Sequence, residues 1–364
     1  MARITLDKLA HSYKSDPQGP QDYALREVDH VWRQGGAYAL LGPSGCGKTT
    51  LLNIISGLVV PTRGRILFDD KDVTQLPTEA RNIAQVFQFP VVYDTMTVRE
   101  NLAFPLKNRG VARAEIEARV AEIAGLLDLT SALDRKASRL GADAKQKISL
   151  GRGLVRPDVA AILFDEPLTV IDPHLKWQLR STLKELHRKL DLTMIYVTHD
   201  QTEALTFADT VVVMHDGGVV QTGTPEELFQ HPAHTFVGHF IGSPGMNVLP
   251  CKVEGAQASL AGQEIALTRH YPALTGKVEL GIRPEYATLA PRGAGLPVRI
   301  IRIDDIGRAR IARVELDGLK LATSVPEGAS FDGDQAALSL QAGQIHIYSD
   351  AHLVKGQALP GGQP

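Results

Sequence analysis

Apolar residues recur in two alternating textures over the first two thirds of the chain. Short runs with apolar side chains on both faces, at residues 4–9, 37–41, 83–87, 161–164, 194–197 and 211–214, predict buried strands of a parallel sheet. Between them, apolar positions three or four apart predict amphipathic helices. Ile116, Val120, Ile123 and Leu127 give one within 113–128, and Leu179, Leu183 and Leu186 give another within 175–190. Strands and helices in alternation predict an α/β fold, a mainly parallel sheet covered by helices.

The texture changes near residue 240. The segment "FIGSPGMN" at 240–247 is rich in Gly and Pro. After it come only short β-like pieces, at 248–253, 264–267, 277–282, 298–303, 310–316, 319–324 and 345–348, separated by turns such as Asp317-Gly318 and Asp332-Gly333. A small all-β barrel or sandwich is expected, with a domain boundary at about 241 and a frayed, flexible tail over 356–364.

The apolar run 37–41 leads into Gly42-Pro-Ser-Gly-Cys-Gly-Lys-Thr49, which fits G-x-x-x-x-G-K-[ST] between a predicted strand and a predicted helix. In that setting backbone N–H groups at a helix N-terminus curl around phosphate oxygens, Lys48 reaches the outer phosphates and the Thr49 hydroxyl can ligate Mg²⁺. Gly42, Ser44, Gly45, Cys46, Gly47, Lys48, Thr49 and Thr50 form the candidate nucleotide cradle. The run 160–164 ends in Asp165-Glu166, two carboxylates at the C-terminal end of a buried strand, where open α/β sheets bind their ligands. Asp165 suits Mg²⁺, and Glu166 suits orienting the attacking water. Gln88 follows the strand at 83–87 and has an amide fit to touch metal and water. His199 follows the strand at 194–197 and has an imidazole fit to reach a γ-phosphate.

Length and composition narrow the reading. A chain of 364 residues, 43% hydrophobic, is long enough for two folded domains. Its formal charge of −2 provides no global field for nucleic acid. Two cysteines, Cys46 and Cys251, cannot form a disulfide framework and suit a reducing compartment. No apolar run approaches the roughly 20 residues that span a bilayer, and the N-terminus lacks a signal-peptide core, so a membrane role would come through partners.

In order, "GPSGCGKTT", "VFQ", "ILFDEPLTVID" and "IYVTHDQTEAL" resemble the phosphate loop, glutamine loop, acidic strand with aspartate loop, and histidine loop of ABC transporter ATP-binding subunits. "TVRENLAFPL" (97–106), "GTPEELFQHPAHTFVGHFIGSPGMN" (223–247) and "LGIRPEYATL" (280–289) are similar to importer ATPases of the maltose and glycerol-3-phosphate type. The resemblance covers nearly the whole chain. It implies an α/β P-loop nucleotide-binding domain at 1–240 with a helical subdomain at about 95–158, and a small β-rich, OB-like regulatory domain at 241–355. It also implies ATP and Mg²⁺, and two transmembrane permease subunits, with a solute-binding protein outside. A second ATPase subunit, a place on the cytoplasmic membrane face and a small carbohydrate or polyol as cargo complete the expectation. By the same likeness Tyr13 stacks on adenine and Asp172 meets the opposing subunit. The loop "KSDPQGPQD" after Tyr13 is longer than usual, and Tyr23 is the weaker stand-in.

One motif departs. Where the family has Leu-Ser-Gly-Gly-Gln, this chain has Leu140-Gly-Ala-Asp-Ala144. The family's serine hydroxyl and bare glycine N–H groups grip the γ-phosphate of ATP held by the other subunit. Gly141 has no hydroxyl, and Asp143 brings like charge. The structural alternative is a helix capping box at Asp143-Ala-Lys-Gln146. A homodimer would then hold two impaired composite sites, and a heterodimer one good and one poor. The competing reading is a low-turnover nucleotide-binding regulatory subunit, which the altered signature favours and the retained Glu166 opposes. A soluble ABC ATPase of DNA repair or translation would carry a second cassette or a long insertion.

Phe89-Pro-Val-Val-Tyr93 is open to two readings, a docking groove for a permease helix or core packing.

Overall fold

The computed structural model describes residues 2–359 except Val170, Arg292, Ala294 and Arg308; of Leu190 only the backbone is described. The chain divides into two compact units, Met1–Pro225 and Glu226–Pro364. The division precedes the Gly- and Pro-rich segment at 240–247, so the short helix Thr235–Phe240 groups with the β-rich half.

In the first unit the strands are β1 (Ile4–His11), β2 (Leu25–Trp32), β3 (Ala37–Leu41), β4 (Arg63–Phe68), β5 (Lys71–Asp72), β6 (Ala84–Val86), β7 (Ile162–Asp165), β8 (Met194–Thr198), β9 (Thr210–His215) and β10 (Gly218–Gly223). The helices are α1 (Lys48–Ser56), α2 (Val98–Lys107), α3 (Arg113–Leu126), α4 (Ala142–Leu154), α5 (Pro173–Leu190) and α6 (Gln201–Phe207). The main sheet has the order β10-β9-β3-β8-β7-β6, parallel throughout except for β10. Every residue of β3 and β8 is buried, which is why both read as unbroken apolar runs. A second, antiparallel sheet runs β2-β1-β4-β5.

The core joins both sheets through α1: Leu51, Leu52, Ile54 and Ile55 pack with Trp32, Leu40, Leu163, Ile195 and Met214, all but fully buried. Arg81, 2% exposed, closes the far end of that helix. Its guanidinium donates to the carbonyls of Ile54 (2.6 Å) and Ile55 (3.1 Å), and also to those of Thr74 and Leu76. Cationic donors at the last turn satisfy carbonyls that the helix leaves unpaired and oppose its dipole.

Among the described residues of the second unit, three β assemblies form. One is the four-stranded sheet of 247–250, 278–282, 346–349 and 352–353; another joins 252–260, 263–271 and 357–358. The third is a closed barrel of Ala287–Ala290, Leu319–Val325, Arg310–Leu316, Leu296–Asp305 and Gln335–Leu340. Closure leaves no bare edge, and Leu289, Val298, Ala312, Val314, Leu321 and Leu338 fill the interior. The expected frayed tail is corrected in part: Gln357–Ala358 is a strand paired with Arg269 and His270. Residues 360–364 of that expectation lie outside the described residues. Both cysteines are free thiols.

Candidate nucleotide site

The phosphate loop leaves β3 and returns as α1, as strand–loop–helix geometry requires. Gly47, the residue before the helix, sits at φ +99°. A side chain there would also place a Cβ 2.5 Å from the carbonyl oxygen of Ala24, so only glycine fits. Gly42 is confined similarly, since a Cβ would lie 2.3 Å from the carbonyl oxygen of Met214. Lys48 is buried, and its ammonium donates to the carbonyls of Gly42 (2.8 Å) and Pro43 (3.0 Å), folded back over its own loop. The Cys46 thiol lies beneath, pushed up in pKa by burial. Ser44 and Gly45 are exposed at the loop tip.

The carboxylates stand beside the loop because β7 pairs in parallel with β8, which itself pairs with β3. Thr49 Oγ1 is 3.5 Å from Asp165 Oδ1. Burial raises the Asp165 carboxyl above the ordinary range, and the neighbouring Glu166 charge adds to the shift. Glu166 is held at φ +46°, left-handed backbone that a glutamate rarely adopts, and its N–H donates to the Val197 carbonyl at 2.9 Å. Its Oε1 accepts from His199 Nδ1 at 2.9 Å and its Oε2 from Thr169 Oγ1 at 3.3 Å. An ionised carboxylate only accepts, so in this state the His199 proton sits on Nδ1.

His199 is aimed by the end of β8. Tyr196 OH and Thr198 Oγ1 each donate to Glu203 Oε2 at 3.0 Å, and Lys176 Nζ lies 3.5 Å from Oε1. Lys48, Thr49, Asp165, Glu166 and His199 thus converge at the C-terminal ends of three adjacent strands. Gln88 follows β6, the outer neighbour of β7, and is half-buried. Tyr13 is 66% exposed; its hydroxyl lies 3.2 Å from Thr50 Oγ1, and its ring meets His11 edge-on at 4.6 Å. Tyr23 instead lies under Arg63, 5.8 Å from its guanidinium carbon. Asp172 caps α5, accepting from His174 N at 2.9 Å.

The capping box expected at Asp143–Gln146 is not formed. Helix α4 starts at Ala142, two residues earlier than that box requires, with Gly141 as its cap residue and no side-chain cap. Asp143 lies inside the first turn, where its Oδ1 is buried without a partner and Lys147 Nζ stands 4.0 Å from Oδ2. The Gln146 amide is taken by tertiary acceptors: its Nε2 donates to the carbonyls of Pro167 (2.7 Å) and Phe87 (3.3 Å). The box that does form is Thr97–Glu100 at the start of α2, a T-x-x-E pattern legible in the sequence. Gln146 was singled out in the sequence only for the box at Asp143–Gln146, not for its contacts with Pro167 and Phe87, and Asn101 was not singled out at all. The buried Asn101 amide bonds both backbone groups of Tyr93.

Of the stretch after Gln88, Phe89 is 67% and Val91 50% exposed, which speaks against core packing. Beside it opens a groove of about 220 Å³, lined by Phe87, Val91, Pro105, Ser149 and Arg152.

Fold and site define a phosphate-loop ATPase followed by an OB-type β domain. The ABC transporter family profile matches residues 25–169, and the MalK OB fold domain profile matches 242–287. The sn-glycerol-3-phosphate import ATP-binding protein UgpC of Jannaschia sp. is 37% identical over 349 residues, covering 96% of this chain and 98% of the relative. The protein of that name from Cereibacter sphaeroides is 40% identical over 352 residues, with shares of 96% and 98%. Among solved structures, cbiO1 of Clostridium perfringens, part of the ABC transporter complex cbiONQ, superposes with a TM-score of 0.57 at 26% identity, covering 63% of this chain and 90% of that one. The chain belongs to the ABC transporter family, as an ATP-binding subunit that hydrolyses ATP to drive transport. Among the described residues no helix is long and apolar enough to cross a membrane.

Proposed function

We propose that this chain powers import of sn-glycerol-3-phosphate, or of a related small polyol or sugar, and that it supplies the better half of an asymmetric ATPase pair. The names of the relatives support the cargo. The observation that carries the catalytic reading is the Glu166–His199 contact at 2.9 Å, at the strand ends that also carry Lys48 and Asp165.

In this reading Lys48 leaves the carbonyls of Gly42 and Pro43 for the outer phosphates, and Tyr13 stacks on the adenine ring. Glu166 orients the attacking water and takes its proton. His199 must give up its Nδ1 bond to Glu166, or acquire a second proton, before Nε2 donates to the γ-phosphate. That exchange couples arrival of the phosphate to release of the base. The all-oxygen set of Thr49 and Asp165, 3.5 Å apart and beside Glu166, suits Mg²⁺. Thr49, Asp165 and Gln88 would hold Mg²⁺, whose charge would offset the negative charge that develops on the phosphates.

The partners in this reading are two permease subunits on the cytoplasmic side, a solute-binding protein, and a second ATPase with an intact Leu-Ser-Gly-Gly-Gln. The exposed Phe89 and Val91 beside the 220 Å³ groove suit a permease helix. Reconstitution into vesicles with both permeases and the binding protein tests the cargo. ATP-dependent uptake of sn-glycerol-3-phosphate is expected, and ATPase that ignores every polyol, sugar and phosphate ester offered would overturn it.

A further inference from the structure

We propose that a pocket in the second compact unit binds a small anionic metabolite through Arg269, Lys355 and the neighbouring imidazoles of His231 and His346. The cavity holds about 280 Å³, near the lower limit of roughly 300 Å³ usual for ligand pockets, so its occupant is small. Its wall contains two permanent cations and two histidines but no acidic residue. Among the described residues, neither Arg269 nor Lys355 forms an ion pair.

The pocket is built rather than incidental. The strand Gln357–Ala358 pairs with Arg269 and His270, and the Arg269 guanidinium donates to the Gly356 carbonyl at 3.3 Å, which fixes it at the rim. Gly356 packs so closely that a Cβ there would sit 2.8 Å from both Arg269 Cβ and the Tyr271 ring. The floor is apolar, formed by Tyr271, Ile345 and Leu353, while the Thr268 hydroxyl adds a neutral donor. The rings of His231 and His346 stand edge to face, 6.1 Å apart.

Burial lowers the His346 imidazole to about 4, and the charged groups that deepen the shift, His231, Arg283 and Arg269, are all basic. Arg269 and Lys355, exposed at the rim of this concavity and in no ion pair among the described residues, attract an anion into it. The ligand class is therefore a phosphate or carboxylate head on a short stem that can lie on the apolar floor.

The test uses the full chain saturated with Mg-ADP, so that the phosphate loop is occupied. Inorganic phosphate and acetate are titrated at constant ionic strength against chloride, while the ring signals of His231 and His346 are followed by NMR. A saturable shift with either probe is expected, and the probe that produces it identifies the head group. The double variant R269Q/K355Q should lose at least tenfold in affinity while its melting temperature stays near that of the parent. Shifts that never saturate, or an affinity unchanged in R269Q/K355Q, would overturn the proposal.

Discussion

Gln146→Ala should destabilise the first compact unit and detune its active site together. Gln146 is fully buried, and its amide is the shared donor for the carbonyls of Pro167 and Phe87, the residues next to Glu166 and Gln88. Truncation leaves one buried and one partly buried carbonyl unpaired. A buried unpaired acceptor costs about 1–3 kcal/mol, and a partly buried one less. The missing atoms add a cavity cost of about 1 kcal/mol. Removing Oε1, itself buried without a partner, returns about 1 kcal/mol. The net loss is about 2 kcal/mol, or roughly 1 M in urea midpoint for a slope near 2 kcal/mol/M.

Tryptophan fluorescence reports this unit selectively, because the chain has 2 tryptophans and both Trp32 and Trp177 lie within Met1–Pro225. Gln146→Met keeps the volume but not the donor, and should lose most of the same stability. In the assembled complex both variants should lower kcat while leaving nucleotide affinity within about threefold, since neither touches the phosphate loop. A urea midpoint for Gln146→Ala within about 0.2 M of the parent would refute the reasoning.

Other outcomes follow from the same geometry. Asp165→Asn should raise the melting temperature of the nucleotide-free chain while reducing ATP turnover at least tenfold. The raised Asp165 carboxyl keeps its proton in the native state at pH values where the unfolded chain has lost it. Its ionisation therefore opposes folding, and stability falls as pH rises from the ordinary aspartate range through the native value, a dependence the variant should lack. Nothing lies within 4 Å of a Cβ built on Gly141, so a serine fits there. The double change Gly141→Ser and Asp143→Gly should increase ATPase of the chain alone at least tenfold, read by phosphate release; no increase would mean that the altered signature does not limit turnover.

Legibility in the sequence followed how local each constraint is. The phosphate loop needs only a strand, two confined glycines and a helix start, all contiguous, so it could be read directly. Strands β3, β7 and β8 were legible because burial on both faces leaves an apolar run. Strand β2, "LREVDHVW", escaped because it buries only Leu25, Val28 and Trp32 and follows neither period cleanly. Ala287–Ala290, alternately buried but only four residues long, and Gln335–Leu340, whose burial does not alternate, were missed too. The sequence also left barrel or sandwich open, since closure depends on pairings between distant strands. The capping box at Asp143 failed for a related reason. D-x-x-Q satisfies the local pattern, but the carbonyls of Phe87 and Pro167, 59 and 21 residues away, hold the Gln146 amide. The Glu166–His199 contact spans 33 residues, and only the expectation that strand ends share one sheet edge brought the two together beforehand.

The most direct test of the account compares two glutamates in a complex of this chain with an ATPase partner bearing Leu-Ser-Gly-Gly-Gln. Glu166→Gln in this chain removes the base from the site that uses the partner's intact signature, and general-base loss costs about 10²- to 10⁴-fold in rate. The equivalent change in the partner disables the site that faces Gly141 and Asp143. Steady-state ATPase of the two assembled complexes is the measurement. Glu166→Gln is expected to remove most of the activity and the partner's change little of it. Equal losses from the two changes, or robust hydrolysis by this chain as a homodimer, would contradict it.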